Sequence, residues 1–194
     1  MELRVRPGVV LREFEEEHAA ELFRVTDHNR THLRRWLPWL DATRCEQDSL
    51  QFIRAVRKRV LLYFEVHFGI WVDGRLGGVI GTHQVDRVNG RTSVGYWLDQ
   101  RLEGRGIVTA CVATMLDHLF GELGLHKVMI QCATGNARSR AIPVRLGFTS
   151  EGVSRENEWL YDHYVDHDCF SMLEDEWRVR FTDDPARRPG MPDQ

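Results

Sequence analysis

The sequence predicts a mixed α/β (α+β) fold: a central, mostly antiparallel sheet of six to seven strands with one parallel pair, flanked by helices. Three observations carry that prediction. Asp73-Gly74 and Val88-Asn89-Gly90 are tight-turn signals, and they join residues 61–72, 76–85 and 94–98, rich in branched and aromatic side chains, into an antiparallel meander. Residues 107–121 are apolar at 107, 108, 111, 112, 115, 116, 119 and 120, a stripe wide enough to lie against a sheet. A right-handed crossover through that helix lays residues 127–132 parallel to residues 94–98.

The other elements follow in chain order. Residues 9–14 alternate as a first strand, and residues 15–25 carry Ala19, Leu22, Phe23 and Val25 at helical spacing. A short helix over residues 30–37 stops at Pro38. Trp36 and Trp39, on either side of that proline, read as a hydrophobic plug over the core in preference to a cleft wall, because bulky apolar side chains are usually buried. Residues 46–60 make a third helix with Leu50, Ile53, Val56 and Val60 on one face and Arg54, Arg57 and Arg59 on its solvated side. After the crossover, residues 137–146 form a helix capped by Asn136 and closed by Gly147, and residues 148–153 and 164–172 are the last strands. Residues 1–177 are expected to form a single domain, and the proline-rich residues 178–194 a disordered tail.

A chain of 194 residues, 42% of them apolar, can bury one sizeable core. Its 26 basic and 29 acidic residues leave a net charge of −3, so no basic field argues for nucleic acid. There is no run of 18 apolar residues, and Arg4 and Arg6 have no apolar stretch behind them, so the expected location is the cytoplasm, away from membranes. Cys45, Cys111, Cys132 and Cys169 lack Cys-x-x-Cys spacing and are expected to be reduced and mostly buried.

The functional signal concentrates where the 94–98 strand meets the crossover helix, at Gly104-Arg105-Gly106. Two glycines one residue apart let the backbone turn tightly, so that several N–H groups converge where a helix N-terminus adds partial positive charge. That is an anion site suited to phosphate, with Arg101 and Arg105 adding planar donors. For an isolated Gly-x-Gly the plainer reading is a bare strand-to-helix turn. A Walker loop needs Gly-Lys-Ser/Thr where this chain has Gly106-Ile107-Val108. A dinucleotide fingerprint needs a small residue where Thr109 stands.

The pattern Arg101-x-x-Gly104-x-Gly106 after a Gly95-Tyr96-Trp97-Leu98 strand resembles the pyrophosphate loop of the GNAT superfamily of acyl-CoA-dependent N-acyltransferases, and the strand resembles that of its RimJ/RimL-type members. A second motif agrees: Asn136 stands eleven residues before Gly147-Phe148, the spacing at which the family places an asparagine on the pantetheine arm. The resemblance implies acetyl-CoA as cosubstrate, no metal, and a parallel strand pair splayed at the CoA site. It assigns Trp97, Leu98, Arg101, Gly104, Arg105, Gly106, Ile107, Val108, Asn136 and Ser139 to CoA binding. It also implies direct attack of a primary amine, either the N-terminal α-amine of a ribosomal or other protein or a small-molecule amine, and homodimers are common among such relatives. A non-catalytic acyl-CoA-binding or sensory module is the competing reading.

One departure is informative. Many GNAT enzymes carry a tyrosine four residues before that glycine, where it protonates the departing thiolate; here Pro143 stands there. RimL-like relatives imply Ser139 as the substitute acid, and Glu158, in the connection before the last strand, as base. The plainer readings are a Ser139 hydroxyl bonded to its own helical turn and a Glu158 solvated in a loop. A backbone N–H near Trp97 or Leu98, splayed by a bulge, is the implied donor to the developing oxyanion. His163 and His167 lie four residues apart on a strand, roughly 13 Å, too far to share an ion.

Overall fold

In the computed structural model, which describes residues 1–63 and 65–182, eight strands make one sheet. They are β1 (Glu2–Arg6), β2 (Val9–Glu13), β3 (His67–Val72), β4 (Arg75–Asp86), β5 (Arg91–Leu98), β6 (Lys127–Ala133), β7 (Thr149–Leu160) and β8 (His163–Leu173). The spatial order is β1-β2-β3-β4-β5-β6-β8-β7, and only β5 and β6 run parallel. Among the described residues six α-helices accompany them: α1 (Ala19–His28), α2 (Arg30–Leu33), α3 (Glu46–Tyr63), α4 (Ile107–Asp117), α5 (Ala137–Leu146) and α6 (Glu174–Thr182).

The turn chemistry behaves as the sequence requires: Asp73 and Gly74 take φ of 48° and 78° between β3 and β4, and Gly90 takes 58° before β5. The crossover helix α4 buries Ile107, Cys111, Val112, Met115 and Leu116, each at most 2% exposed, against Leu11, Phe68, Ile70 and Ile80 of the sheet. On the opposite face a smaller core of Phe14, Leu22, Ile53, Val56, Trp71 and Val79 packs beneath α1 and α3. Truncating one of the fully buried aliphatics to alanine costs about 2–5 kcal/mol, so these two layers fix where the strand ends point.

Several boundaries differ from the expectation. β1 precedes the strand read as first, hydrogen-bonded along β2 at the edge. The strand expected over 61–72 begins only at His67, because Ile53, Val56, Val60 and Tyr63 keep the helical spacing and α3 runs on to Tyr63. α2 ends at Leu33, and the chain reaches Leu37 as turns. The strand expected over 148–153 runs as β7 to Leu160. Register shifts at Ser150/Gly152 and Ser154/Glu158 break the alternation from which a strand is read. α6 carries the chain past Trp177, whose buried indole donates to Asp117 at 2.8 Å, and residues 183–194 of the expected tail lie outside the described residues. Cys111 and Cys132 are buried, Cys169 is half-buried and Cys45 is exposed. Among the described residues no helix is long and apolar enough to cross a membrane.

The feature that positions the site is the shortness of the parallel pairing. β5 meets β6 only at Arg91↔Lys127, Thr92↔Val128 and Ser93↔Met129. Beyond Ser93 the two strands part: residues 94–98 stay with β4, and residues 130–133 with β8. The bulge expected beside Trp97 is absent, since β5 is in regular register with β4 from Ser93 to Leu98. The irregularity lies instead between His83 and Asp86, where Gln84 takes a φ of 53°.

Candidate active site

A cavity of about 1130 Å³ is bounded by Tyr96, Trp97 and Leu98 at the free end of β5, by the first turns of α4, and by α5. Gly104 and Gly106 take φ of 75° and 68°, and Gly106 caps α4. Nothing lies within 4 Å of where a Cβ would stand on either, so the backbone there faces open space. The helical ladder begins with Ala110 N–H donating to the Gly106 carbonyl at 3.1 Å. The N–H groups of Ile107, Val108 and Thr109 are thus the orphan donors of a helix start, in the wall of the cavity.

Strand alternation places one further donor. Asp99 N–H reaches the Gly77 carbonyl at 2.7 Å, so the Trp97 N–H points the same way, into the β4 ladder, and the Leu98 N–H points to the open side. Gly78 makes this packing possible, because a Cβ on it would meet the Trp97 carbonyl oxygen at 2.2 Å.

The structure brings Trp97, Leu98, Gly104, Gly106, Ile107 and Val108 to the cavity wall, with Asn136 and Ser139 facing them from α5. It does not bring Arg101, Arg105 or Glu158 there. The Arg101 guanidinium is held by Asp99 at 2.6 and 3.1 Å; although burial opposes the charge on Asp99, Arg101 keeps that carboxyl below its usual range. Arg105 is exposed, and its carbonyl accepts from Arg6 at 2.9 Å. Glu158 lies within β7 opposite Val165, not in a connection, and faces His167 at 3.6 Å. Among the described residues no group of three potential ligands is placed to hold a metal ion; His163 pairs instead with Asp162 at 2.7 Å.

Asn136 caps α5 as its position predicts, its Oδ1 accepting the Ser139 N–H at 3.2 Å. The Ser139 hydroxyl does not turn back on its own helix: it donates to the Tyr96 hydroxyl at 3.4 Å. Tyr96 donates in turn to the Ser139 carbonyl at 3.2 Å. Pro143 supplies the reason that carbonyl is available, since a proline four residues on has no N–H for it. Burial pushes the Tyr96 phenol well above its ordinary pKa, so it stays protonated.

Tyr96 and two arginines of α5 join the site without having been expected there. Arg145 donates to Thr109 Oγ1 at 2.9 Å, at the mouth of the α4 N-terminus, and Arg138 pairs with Glu103, which also meets His32 at 2.9 Å. Two basic residues on the helix facing a glycine loop are a signal that was open to sequence reading. Trp36 and Trp39 form no core plug: Trp36 lines the cavity and lies over Gly135, and Trp39, 36% exposed, stands 6.3 Å from the Trp97 ring. The β7–β8 turn holds this segment, as the Tyr161 hydroxyl donates to the Leu37 carbonyl at 2.6 Å beneath the Arg34 guanidinium.

Residues 9–149 match the family model of an acetyltransferase (GNAT) domain. The chain is 32% identical over 177 residues to YdaF of Bacillus subtilis (strain 168), covering 90% of this chain and 96% of that protein. It is 27% identical over 176 residues to the ribosomal-protein-serine acetyltransferase of Escherichia coli (strain K12), covering 89% and 97% of the two. Among solved structures, Mycobacterium smegmatis RimJ in complex with CoA-disulfide matches with a TM-score of 0.85 at 25% identity, over 94% of this chain and 92% of that one.

Proposed function

The chain belongs to the GNAT family of acetyltransferases, and from that premise we propose how its residues share the work and which amine it takes. It is an acetyl-CoA-dependent N-acetyltransferase of RimJ/RimL type. Acetyl-CoA supplies the activated acyl group as a thioester. The residues present suit it: orphan amides at the start of α4 and the bare backbone of Gly104 and Gly106 match a diphosphate, and the cavity runs from them to Ser139.

In this reading Ile107 and Val108 present their N–H groups to phosphate oxygens, Asn136 meets the amides of the pantetheine arm, and the Leu98 N–H receives the carbonyl oxygen as it gains charge. Ser139 holds its hydroxyl where the thiolate leaves, and Glu158, outside the cavity wall on β7 beside His167, takes the amine proton through intervening water. Transfer is direct. Burial pushes the Cys132 thiol up to about 11, so the cysteine beside the site remains protonated and is a poor acyl carrier. The acceptor is a protein N-terminal α-amine, a reading supported by the ribosomal-protein-serine acetyltransferase relative and by a cleft open beside Trp36.

The observation that carries this function is the run of first-turn amides of α4 opening onto a cavity that Ser139 also lines. The experiment is thiol release from acetyl-CoA against a panel of N-terminal peptides and small amines. Serine- and alanine-initiated peptides are expected to lead, Ser139→Ala to lower kcat by roughly 100-fold with CoA affinity within about twofold, and Glu158→Gln to move the pH profile. Tight CoA binding with no transfer to any amine would establish a non-catalytic module instead.

A further inference from the structure

Pro143 creates two problems at once for the proposed chemistry. It stands where many GNAT enzymes have a tyrosine, and it leaves the Ser139 carbonyl without the N–H that an ordinary residue would donate from four positions on. One side chain from the opposite wall answers both. Tyr96, on the free end of β5, reaches across to α5 and places its oxygen 3.2 Å from the Ser139 carbonyl oxygen and 3.4 Å from Ser139 Oγ.

We propose that Tyr96 is a positioning residue for Ser139: its hydroxyl fixes the serine Oγ across the cleft and lends it a second O–H dipole, doing from the sheet what Pro143 prevents in the helix. The inference rests on the reading of Ser139 as the group that meets the leaving thiolate. Two acceptors on one residue lie within reach of a single phenolic proton. While the serine hydroxyl points at Tyr96, the phenol donates to the Ser139 carbonyl. When the serine hydroxyl turns to sulfur, the phenol can swing to Ser139 Oγ, giving a chain Tyr96 O–H to Ser139 O–H to sulfur in which each bond polarises the next. Protons balance without either residue being consumed: Glu158 takes the amine proton and gives it up to solvent, the thiolate held by the Ser139 O–H takes one from solvent and leaves as the thiol, and Tyr96 and Ser139 keep their own protons throughout.

A purely structural tyrosine would cap the α5 carbonyl and nothing more. The two roles separate in Tyr96→Phe, which keeps the ring in the cavity wall and deletes only the oxygen. The test titrates the thiol of bound CoA by thiolate ultraviolet absorbance, taken as the difference from protein bound to desulfo-CoA, in wild type, Tyr96→Phe, Ser139→Ala and the double variant. Thiolate should form at lower pH in wild type than in either single variant, and the double variant should match Ser139→Ala. Acetyl transfer should follow the same pattern, with kcat of Tyr96→Phe down roughly tenfold and the KM for acetyl-CoA within about twofold.

A wild-type titration curve in Tyr96→Phe, or an equal further shift when Tyr96→Phe is added to Ser139→Ala, overturns the role of Tyr96 while leaving that of Ser139 intact. A wild-type curve in Ser139→Ala overturns the parent reading and this one together. Failure of the wild-type protein to bind CoA does the same.

Discussion

Gly78→Ala tests whether the end of β5 is held in place by the absence of a side chain on its neighbour. A Cβ built there stands 2.2 Å from the Trp97 carbonyl oxygen and 3.0 Å from Leu98 Cα, against about 3.3 Å for a tight carbon–oxygen contact. Both obstructing atoms are backbone, so the strand must retreat by about 1 Å. Overpacking of this kind costs about 1–3 kcal/mol, and in a protein of this size each kcal/mol lowers Tm by about 2–4 °C. The same retreat displaces the Leu98 N–H from the carbonyl it is proposed to receive, and a 1 Å misplacement can cost about 100-fold in rate. Thermal melts, CoA calorimetry and acetyl-transfer kinetics should therefore show a lower Tm, a kcat down by one to two orders of magnitude, and CoA affinity little changed, because Gly104 and Gly106 are not touched. A variant that melts and turns over like wild type would refute the close-packing argument. One that loses CoA binding in proportion to its rate would refute the assignment of separate tasks to β5 and the loop.

Three further outcomes are expected. Gly106→Ala meets no neighbour but must hold a φ of 68°, so its stability cost should stay near 1–2 kcal/mol while its CoA affinity falls at least tenfold, measured by calorimetry beside thermal melts. Arg145→Ala should weaken CoA several-fold in a salt-dependent way, whereas Arg101→Ala should leave CoA affinity nearly unchanged because its guanidinium is already engaged by Asp99. His67 is 5% exposed, and burial lowers its pKa from 6.5 to about 4 despite Glu65 beside it, with His83 and Arg59 adding to the shift. Below pH 6.5 the unfolded chain takes up this proton and the folded one does not. Stability should fall between pH 6.5 and 4 by up to about 1.4 kcal/mol per pH unit, and chemical denaturation of His67→Gln should show a flatter slope over that range.

The legible parts of the sequence were those with local causes. Asp73-Gly74, Asn136 and Gly147 each take the conformation their own chemistry requires, and the paired glycines 104 and 106 read directly as a turn into a helix with positive φ at both. What escaped was decided by partners distant in sequence or by lost periodicity. Arg101 reads in the sequence as a free donor because nothing in the spacing announces that Asp99, 4% exposed, is paired with it. Glu158 reads in the sequence as a loop residue because two bulges in β7 erase the alternation that marks a strand. Tyr96 reads in the sequence as part of an aromatic strand motif and not as a partner of Ser139, because that tie joins residues 43 apart that β5 and α5 bring face to face across the cleft.

Three residue pairs hold β5 to β6, against seven between β6 and β8. The sheet is therefore two panels, of five strands and of three, sharing a brief seam, with α4 and α5 laid over the gap. A donor molecule lodged, as proposed, at the open end of that seam would touch both panels and resist their drift apart. Slower amide exchange along the inner margins of β5 and β6 on addition of CoA is the expected sign of that bracing.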